Sequence, residues 1–181
     1  SDFRIVLNSI QLRNPGIPAF LAWASEAIKH LEERGIEFRV SIAGFSVDDY
    51  VLAAELMYKA GIKRWEFNWG CPNGFAADGT AERIMSFSLE SMAETLALVE
   101  TTAITSDWRP RIAVKLSPYS DPQQLKDTAQ MLNGYDIVNE VVASNTFPNC
   151  SAYEVDGTPF IQVADGFAGL SGGGMKSITI G

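Results

Sequence analysis

Cysteine, histidine and basic residues are scarce in this chain of 181 residues, and each scarcity excludes a class of protein. The two cysteines, Cys71 and Cys150, lie far apart in the sequence, and His30 is the one histidine. Two distant thiols do not make a disulfide framework, and no Cys/His spacing suits a zinc site, so we expect no bound metal. This cysteine usage is typical of proteins in the reducing cytoplasm.

Positive charge is also scarce, since 14 Lys and Arg face 22 Asp and Glu and leave a formal net charge of -8. Nucleic acids and anionic membrane surfaces are bound through basic faces, so we expect neither as a partner. No apolar run approaches the roughly 20 residues that span a bilayer, and we expect no signal peptide. Hydrophobic residues make up 46% of the chain, which predicts a folded core.

Helical and extended segments alternate along the chain, which predicts a parallel sheet of βα units in one domain, residues 1–181. Apolar spacing and capping residues predict helices over 18–34, 46–61, 88–101 and 121–132. Short apolar runs predict strands over 4–7, 37–43, 63–68, 111–116 and 135–143. Beyond them, we expect a hairpin-like excursion over 151–163 and a glycine-rich stretch over 166–174.

Polar residues cluster where three successive strands are predicted to end: at 68–73, at Lys115 and at 144–146. In a (β/α)8 TIM barrel the C-terminal strand ends carry the active site, so this α/β chain fits a barrel better than a doubly wound sheet. A whole barrel takes about 250 residues, and about four core strands are predicted here. We therefore expect a partial barrel that covers the central βα units, with the terminal strands missing from this chain.

The most unusual stretch is Asn68-Trp69-Gly70-Cys71-Pro72-Asn73. Carboxamides donate and accept hydrogen bonds, so two of them around a thiol suit a small planar ligand rich in C=O and N–H groups. The thiol can act as a proton acceptor or a nucleophile once it is ionised. A buried structural cysteine in a tight turn, with Asn chosen for turn geometry, is an equally good interpretation of these residues alone.

Other candidate residues also have two interpretations. Lys115 follows three apolar strand residues, where its charge must be paired or must face a ligand; a lysine that extends its ammonium to solvent is the alternative. Asn145 suits a turn as well as a ligand, and the glycines of 169–174 suit flexibility as well as close approach to a phosphate or flat ring. Cys150 is interpreted as structural and His30 as a surface histidine.

Six stretches, in order and spacing, resemble the dihydroorotate dehydrogenase family over nearly the whole chain. Besides residues 8–16 and 66–73, they are Ser41-Ile42-Ala43-Gly44, Val114-Lys115-Leu116-Ser117-Pro118-Tyr119, Ser144-Asn145-Thr146 and Gly169-Leu170-Ser171-Gly172. The resemblance implies an FMN-dependent (β/α)8 barrel that oxidises dihydroorotate to orotate in pyrimidine synthesis. A cysteine at the base position is similar to the soluble class 1 enzymes, which implies a cytoplasmic homodimer with a small pyrimidine substrate.

The resemblance also implies roles for single residues. Cys71 is the base that removes the C5 proton while hydride passes from C6 to the flavin. Lys115 lies near the flavin N1/O2 edge. The carboxamides that hold the pyrimidine are Asn8, Asn68, Asn73 and Asn145. Asn68 also touches FMN, Ser144 and Gly172 fall at flavin-contacting backbone positions, and residues 74–86 correspond to a loop over the substrate.

Alternatives remain open at this stage. The Asn-Trp-Gly-Cys-Pro motif is also similar to tRNA dihydrouridine synthases, but those need a basic RNA-binding face that a net charge of -8 opposes. Dihydropyrimidine dehydrogenase is another relative, although it requires iron–sulfur partners, and an inactive barrel fragment is the non-enzymatic alternative. The electron acceptor is either fumarate, or NAD through a partner subunit. Trp69-Gly70, Ser117 and Phe147-Pro148 depart from the family pattern and leave the exact substrate open.

Overall fold

The computed structural model of the protein describes residues 5–9, 15–71, 84–163 and 166–175. Its strands are β1 (Ile5–Asn8), β2 (Val40–Ile42), β3 (Arg64–Asn68), β4 (Arg111–Leu116), β5 (Val138–Ala143), β6 (Phe147–Cys150) and β7 (Ala168–Gly172). The helices are α1 (Ile17–Glu33), α2 (Val47–Lys59), α3 (Leu89–Thr105) and α4 (Pro122–Leu132). Short 3-10 turns cover Met85–Phe87 and Gly173–Met175.

Four of the five predicted strands form one parallel sheet, in the order β2-β3-β4-β5. Each βα unit therefore moves the chain over by one strand in the same direction, as in a (β/α) barrel and not in a doubly wound sheet, where the order reverses. This arrangement confirms the predicted α/β class and fits the central part of a barrel.

The sheet is curved. Arg39, just before β2, donates both guanidinium nitrogens to the Glu140 carboxylate in β5, at 2.9 and 2.6 Å. In a flat sheet the first and fourth strands lie about 14 Å apart, at about 4.8 Å per step. A direct contact across two intervening strands indicates that the polar face of the sheet is concave.

Alternating residues in β3 separate the two faces of the sheet. Trp65 and Phe67 are fully buried, whereas Arg64, Glu66 and Asn68 on the other face are partly exposed. The buried face packs against the helices, where Tyr50 of α2 meets Phe67 edge-on with ring centroids 5.4 Å apart. The apolar core therefore lies between sheet and helices, and the polar strand positions lie on the concave face.

The predicted helices are present, with shifted ends. The Ser46 hydroxyl accepts the amide of Asp49 and caps α2, as predicted. α3 runs to Thr105, four residues beyond its predicted end. The hydroxyls of Thr101, Thr102 and Thr105 donate to main-chain carbonyls of this added segment and the turn before it, so these polar side chains are satisfied within the helix. β5 begins later than predicted because Val138 donates its amide to the Tyr135 carbonyl, which forms a turn after α4.

The first predicted strand does not join the parallel sheet. β1 pairs antiparallel with β7, which also pairs with β6, in a separate sheet of order β1-β7-β6. The glycine-rich stretch thus contains a strand that was not predicted. The hairpin-like excursion over 151–163 is confirmed by a Tyr153–Pro159 bridge and by the Glu154 amide, which donates to the Thr158 carbonyl at 2.8 Å.

Candidate active site at the strand ends

The C-terminal ends of β3, β4 and β5 bring together residues that are distant in the sequence. Asn68, the last residue of β3, lies opposite Lys115 in the parallel register. Asn145 lies two residues beyond β5, and its main-chain N–H donates to the Leu116 carbonyl at 2.7 Å. Asn68, Lys115, Ser144 and Asn145 therefore lie at one edge of the sheet, where the sequence predicted them.

The carboxamides of Asn68 and Asn145 are directly hydrogen bonded. Asn145 donates its Nδ2 group to Asn68 Oδ1 at 2.8 Å, and its own Oδ1 accepts the Thr146 amide at 2.8 Å. Because Asn68 accepts with its oxygen, its NH2 group is the part that can donate to a ligand carbonyl. The two side chains are thereby held in one orientation before any ligand binds, which lowers the entropy cost of recognition.

Lys115 is paired within the concave face. Its Nζ lies 3.3 Å from Glu66 Oε1, and the Ser41 hydroxyl donates to the same oxygen at 2.9 Å. The side chains of Lys115 and Glu66 are only 27% and 12% exposed, so each charge offsets the desolvation cost of the other. Of the two outcomes expected for a charged strand residue, pairing is therefore present. The Lys115 main chain lies opposite that of Asn68.

Glu66 and Tyr50 are site residues that sequence reasoning missed. The alternation along β3 puts Glu66 on the face of Asn68, a signal that could have identified it. Tyr50 donates its hydroxyl to the Asn68 carbonyl at 3.0 Å. Burial raises the pKa of Tyr50, a hydrogen bond with the Gly44 backbone opposes the rise, and electrostatic interactions with Cys71 and Asp49 add to it. The hydroxyl consequently stays a protonated donor beneath the strand end.

Cys71 is a free, half-buried thiol that follows the buried Trp69 and Gly70. The Trp69 ring stacks on Phe67 with a centroid separation of 5.6 Å. A Cβ atom at Gly70 would lie 2.7 Å from the backbone of Leu116 and Ser117, so only glycine fits there without displacing a strand. The predicted base is thus attached to a rigidly packed pair of residues. Cys150, the other thiol, lies at the end of β6 and is also free.

Two predicted residues, Asn8 and Gly172, belong to the second sheet. Asn8 lies opposite Gly169, whose Cα faces the Thr146 side chain so closely that a Cβ would collide with it. This contact joins the second sheet to the strand end that carries Asn145. Gly172 is exposed and pairs with Ile5, about 10 Å further along β7. Among the described residues, no hydrogen bond connects Gly172 to the strand-end cluster.

Asn73 and residues 74–83 of the predicted loop lie outside the described residues. The prediction that Asn73 binds the substrate therefore stays a prediction. The Ser9 hydroxyl, next to Asn8, is buried and has no hydrogen-bond partner among the described residues. At the strand ends, the Lys115 ammonium and the Asn68 NH2 group are donors that suit a planar, oxygen-rich cofactor or ligand.

In the part of the chain that the structure describes, no three His, Cys, Asp or Glu side chains come together as a group that could hold a metal ion. None of the helices in the described ranges is both long and apolar enough to cross a membrane.

Comparison with known proteins relates this chain to a single family, both by a family model and by individual relatives. A family model described as dihydroorotate dehydrogenase matches residues 1–181. The chain is 31% identical over 97% of its length to the dihydroorotate dehydrogenase B (NAD(+)) catalytic subunit of Petrotoga mobilis, of which it covers 53%. Subunits of the same name from Endomicrobium trichonymphae and Geobacillus kaustophilus are 28% and 29% identical over 97% of the chain, which covers 51% of each.

The chain thus spans about half the length of the curated relatives that it matches. The match nevertheless extends over every strand end described above. This chain belongs to the dihydroorotate dehydrogenase family.

Proposed function

We propose that this protein oxidises dihydroorotate to orotate with FMN as its cofactor, and that it acts in pyrimidine synthesis. The observation that carries the proposal is the pair of hydrogen-bonded carboxamides, Asn68 and Asn145, at strand ends next to a strand with a fixed ammonium, Lys115, and one turn before a free thiol, Cys71. This set of groups matches the needs of a pyrimidine that carries two ring carbonyls, two N–H groups and a carboxylate.

Cys71 is the proposed general base. Its thiolate takes the proton from C5 of dihydroorotate, and the C6 hydrogen leaves with its electron pair, so that a C5=C6 double bond forms. FMN supplies the acceptor for that hydride. Because carbon acids are weak, the base must be held close to C5, and the packed Trp69-Gly70 segment supports such a fixed position.

The remaining site residues bind and orient the substrate and the cofactor. We propose that Asn8, Asn68, Asn73 and Asn145 hold the pyrimidine ring and its carboxylate. With FMN bound, Lys115 would face the flavin N1/O2 edge and favour negative charge there, while Ser144 and Gly172 would offer backbone contacts to the cofactor. The Glu66 carboxylate fixes the Lys115 ammonium at 3.3 Å, which supports a defined position for the positive charge.

The names of the relatives favour one electron acceptor over the other. They are catalytic subunits of NAD(+)-linked enzymes, which implies at least one further subunit in those proteins. We propose that electrons leave this protein through a partner subunit to NAD+, and not to fumarate. Steady-state assays of the purified protein with fumarate should give no orotate, whereas addition of the partner subunit and NAD+ should restore turnover; turnover with fumarate alone would contradict this.

We further propose a cytoplasmic homodimer, as the family resemblance implies. Light scattering of the purified protein should give twice the mass of one chain, and a monomer at micromolar concentration would contradict the dimer.

Substrate identity has a direct test. The purified holoprotein is mixed anaerobically with dihydroorotate or with dihydrouracil, which lacks the carboxylate, and the visible flavin absorbance is followed. We expect rapid bleaching with dihydroorotate and little with dihydrouracil. Equal bleaching would favour a dihydropyrimidine dehydrogenase-like substrate range. A flavin that responds to neither compound would reject the proposal.

A further inference from the structure

Two buried serines connect the chain segments on either side of Cys71. Ser86 and Ser117 are 0% and 2% exposed, and they are two of the few fully buried polar residues among those described. Ser86 lies in the 3-10 turn that precedes α3, and Ser117 directly follows β4. Neither residue belongs to the set of groups proposed above to touch substrate or cofactor.

Their hydrogen bonds form a continuous network. The Ser86 amide donates to the Trp69 carbonyl at 3.1 Å, and the Ser86 hydroxyl accepts the Ser117 amide at 3.2 Å. The Ser117 hydroxyl donates to the Gly70 carbonyl at 3.4 Å. The carbonyls of Trp69 and Gly70, the two residues before Cys71, are therefore both held by hydrogen bonds from Ser86 and Ser117.

Tyr119 is also part of this hydrogen-bond network. Its hydroxyl donates to the Ser86 carbonyl at 2.6 Å and accepts from Thr128 in α4 at 3.4 Å. Its ring meets Phe87 edge-on with centroids 5.9 Å apart. Burial raises the pKa of Tyr119, although its hydrogen bonds with Thr128 and Ser86 oppose the rise, so the donor proton is retained at neutral pH.

The network is also connected to Asn145, a proposed substrate-binding residue, through Leu116 at the end of β4. The Leu116 carbonyl accepts the Asn145 amide, and the same peptide group lies 2.7 Å from the place where a Gly70 Cβ would stand. The chain before Cys71 and the Asn145 backbone therefore both contact the end of β4, which fixes their positions relative to each other. A displacement at Ser86 or Ser117 alters the distance between the thiol and a ligand held by Asn145.

We propose that Ser86 and Ser117 are positioning residues that fix the Cys71 thiol relative to the carboxamide pair. This inference rests on the proposed role of Cys71 as base. A misplacement of about 1 Å can lower a proton-transfer rate by up to about 100-fold. The hydroxyls themselves transfer no proton, since the network contacts main-chain atoms and not the reacting groups.

The test uses the full-length holoprotein and the variants Ser86→Ala and Ser117→Ala. The control is Ser88→Ala, which removes the N-terminal cap of α3 without touching the network. Two quantities are measured: the anaerobic rate of flavin bleaching at saturating dihydroorotate, and the rate of Cys71 alkylation by iodoacetamide, with Cys150 in the same sample as internal reference. The alkylation rate reports on the thiol without any substrate.

We expect both network variants to bleach about tenfold more slowly or worse, with little change in the dihydroorotate concentration for half-saturation. The alkylation rate of Cys71 relative to Cys150 should change in the same variants and not in Ser88→Ala. Wild-type rates in both assays would overturn the inference. If Ser86→Ala does not fold, Ser117→Ala decides by the same criteria. A wild-type protein that dihydroorotate does not bleach would instead reject the proposed function.

Discussion

At the scale of single residues, hydrogen bonds and charge pairs determine what each side chain can offer a ligand. Asn68 accepts from Asn145 and so presents its NH2 group, while Glu66 holds the Lys115 ammonium in place. Asn68, Lys115 and Asn145 could be predicted from sequence because polar residues at the ends of buried strands are conspicuous. Glu66 and Tyr50 could not be assigned as easily, since their roles depend on contacts between separate elements.

Asn145→Ala should weaken orotate binding by about 10-fold or more, since it removes one hydrogen bond to a charged ligand and releases Asn68 as well. Orotate-induced changes in the flavin spectrum measure the dissociation constant. The control is Asn133→Ala at the C-terminal end of α4, which should bind orotate as wild type does. Unchanged binding in Asn145→Ala would remove this residue from the site.

Gly70→Ala should destabilise the protein more than Gly35→Ala does. The first change places a methyl group 2.7 Å from the β4 backbone, which cannot move without breaking the sheet, and we expect a loss of more than about 2 kcal/mol. In Gly35→Ala the new methyl group meets open space, so the loss of stability comes only from placing alanine at a positive φ of 70° and is about 1 kcal/mol. Urea unfolding measures both, and equal losses would show that the close contact at Gly70 is relieved at little cost.

At the scale of secondary-structure elements, local sequence patterns predicted the four helices and the four parallel strands. Capping at Ser46 and Asp121 and alternation in β3 are local signals. The antiparallel pairing of β1 with β7 could not be predicted, because it joins residues more than 160 positions apart and β7 is glycine-rich. Gly169 is required there by the neighbouring Thr146 side chain, a contact that no local pattern encodes.

Tyr50 connects helix α2 to the end of β3 through its hydrogen bond with Asn68, and its burial predicts how the stability of the protein depends on pH. Its folded-state pKa is raised above the ordinary value of 10.0, chiefly by burial. The neutral hydroxyl therefore contributes stability fully below about pH 10, and this contribution is lost as the pH rises further, because the unfolded chain ionises first.

Urea unfolding between pH 8 and pH 11 should show a steeper loss of stability for wild type than for Tyr50→Phe. Tyr153→Phe changes an exposed ring and should follow the wild-type profile. If Tyr50→Phe also follows the wild-type profile, the buried hydroxyl does not account for the alkaline loss.

At the scale of the whole molecule, the curved sheet explains why the site forms at one place. The Arg39–Glu140 contact across four strands shows the curvature that converges the strand ends on a common centre. Sequence could predict the barrel class from the polar residues at the ends of three successive strands, but the curvature depends on side chains that meet only in the folded sheet. The relatives are about twice as long as this chain, so the account of activity is tested on the full-length protein.

Cys71 is the proposed base in dihydroorotate oxidation. The most direct measurement is the rate of flavin bleaching after anaerobic mixing with dihydroorotate, compared among wild type, Cys71→Ala and Cys150→Ala. We expect rapid bleaching in wild type and Cys150→Ala, and a rate at least about 100-fold lower in Cys71→Ala, as for loss of a general base. Bleaching in Cys71→Ala at the wild-type rate would exclude Cys71 as the base.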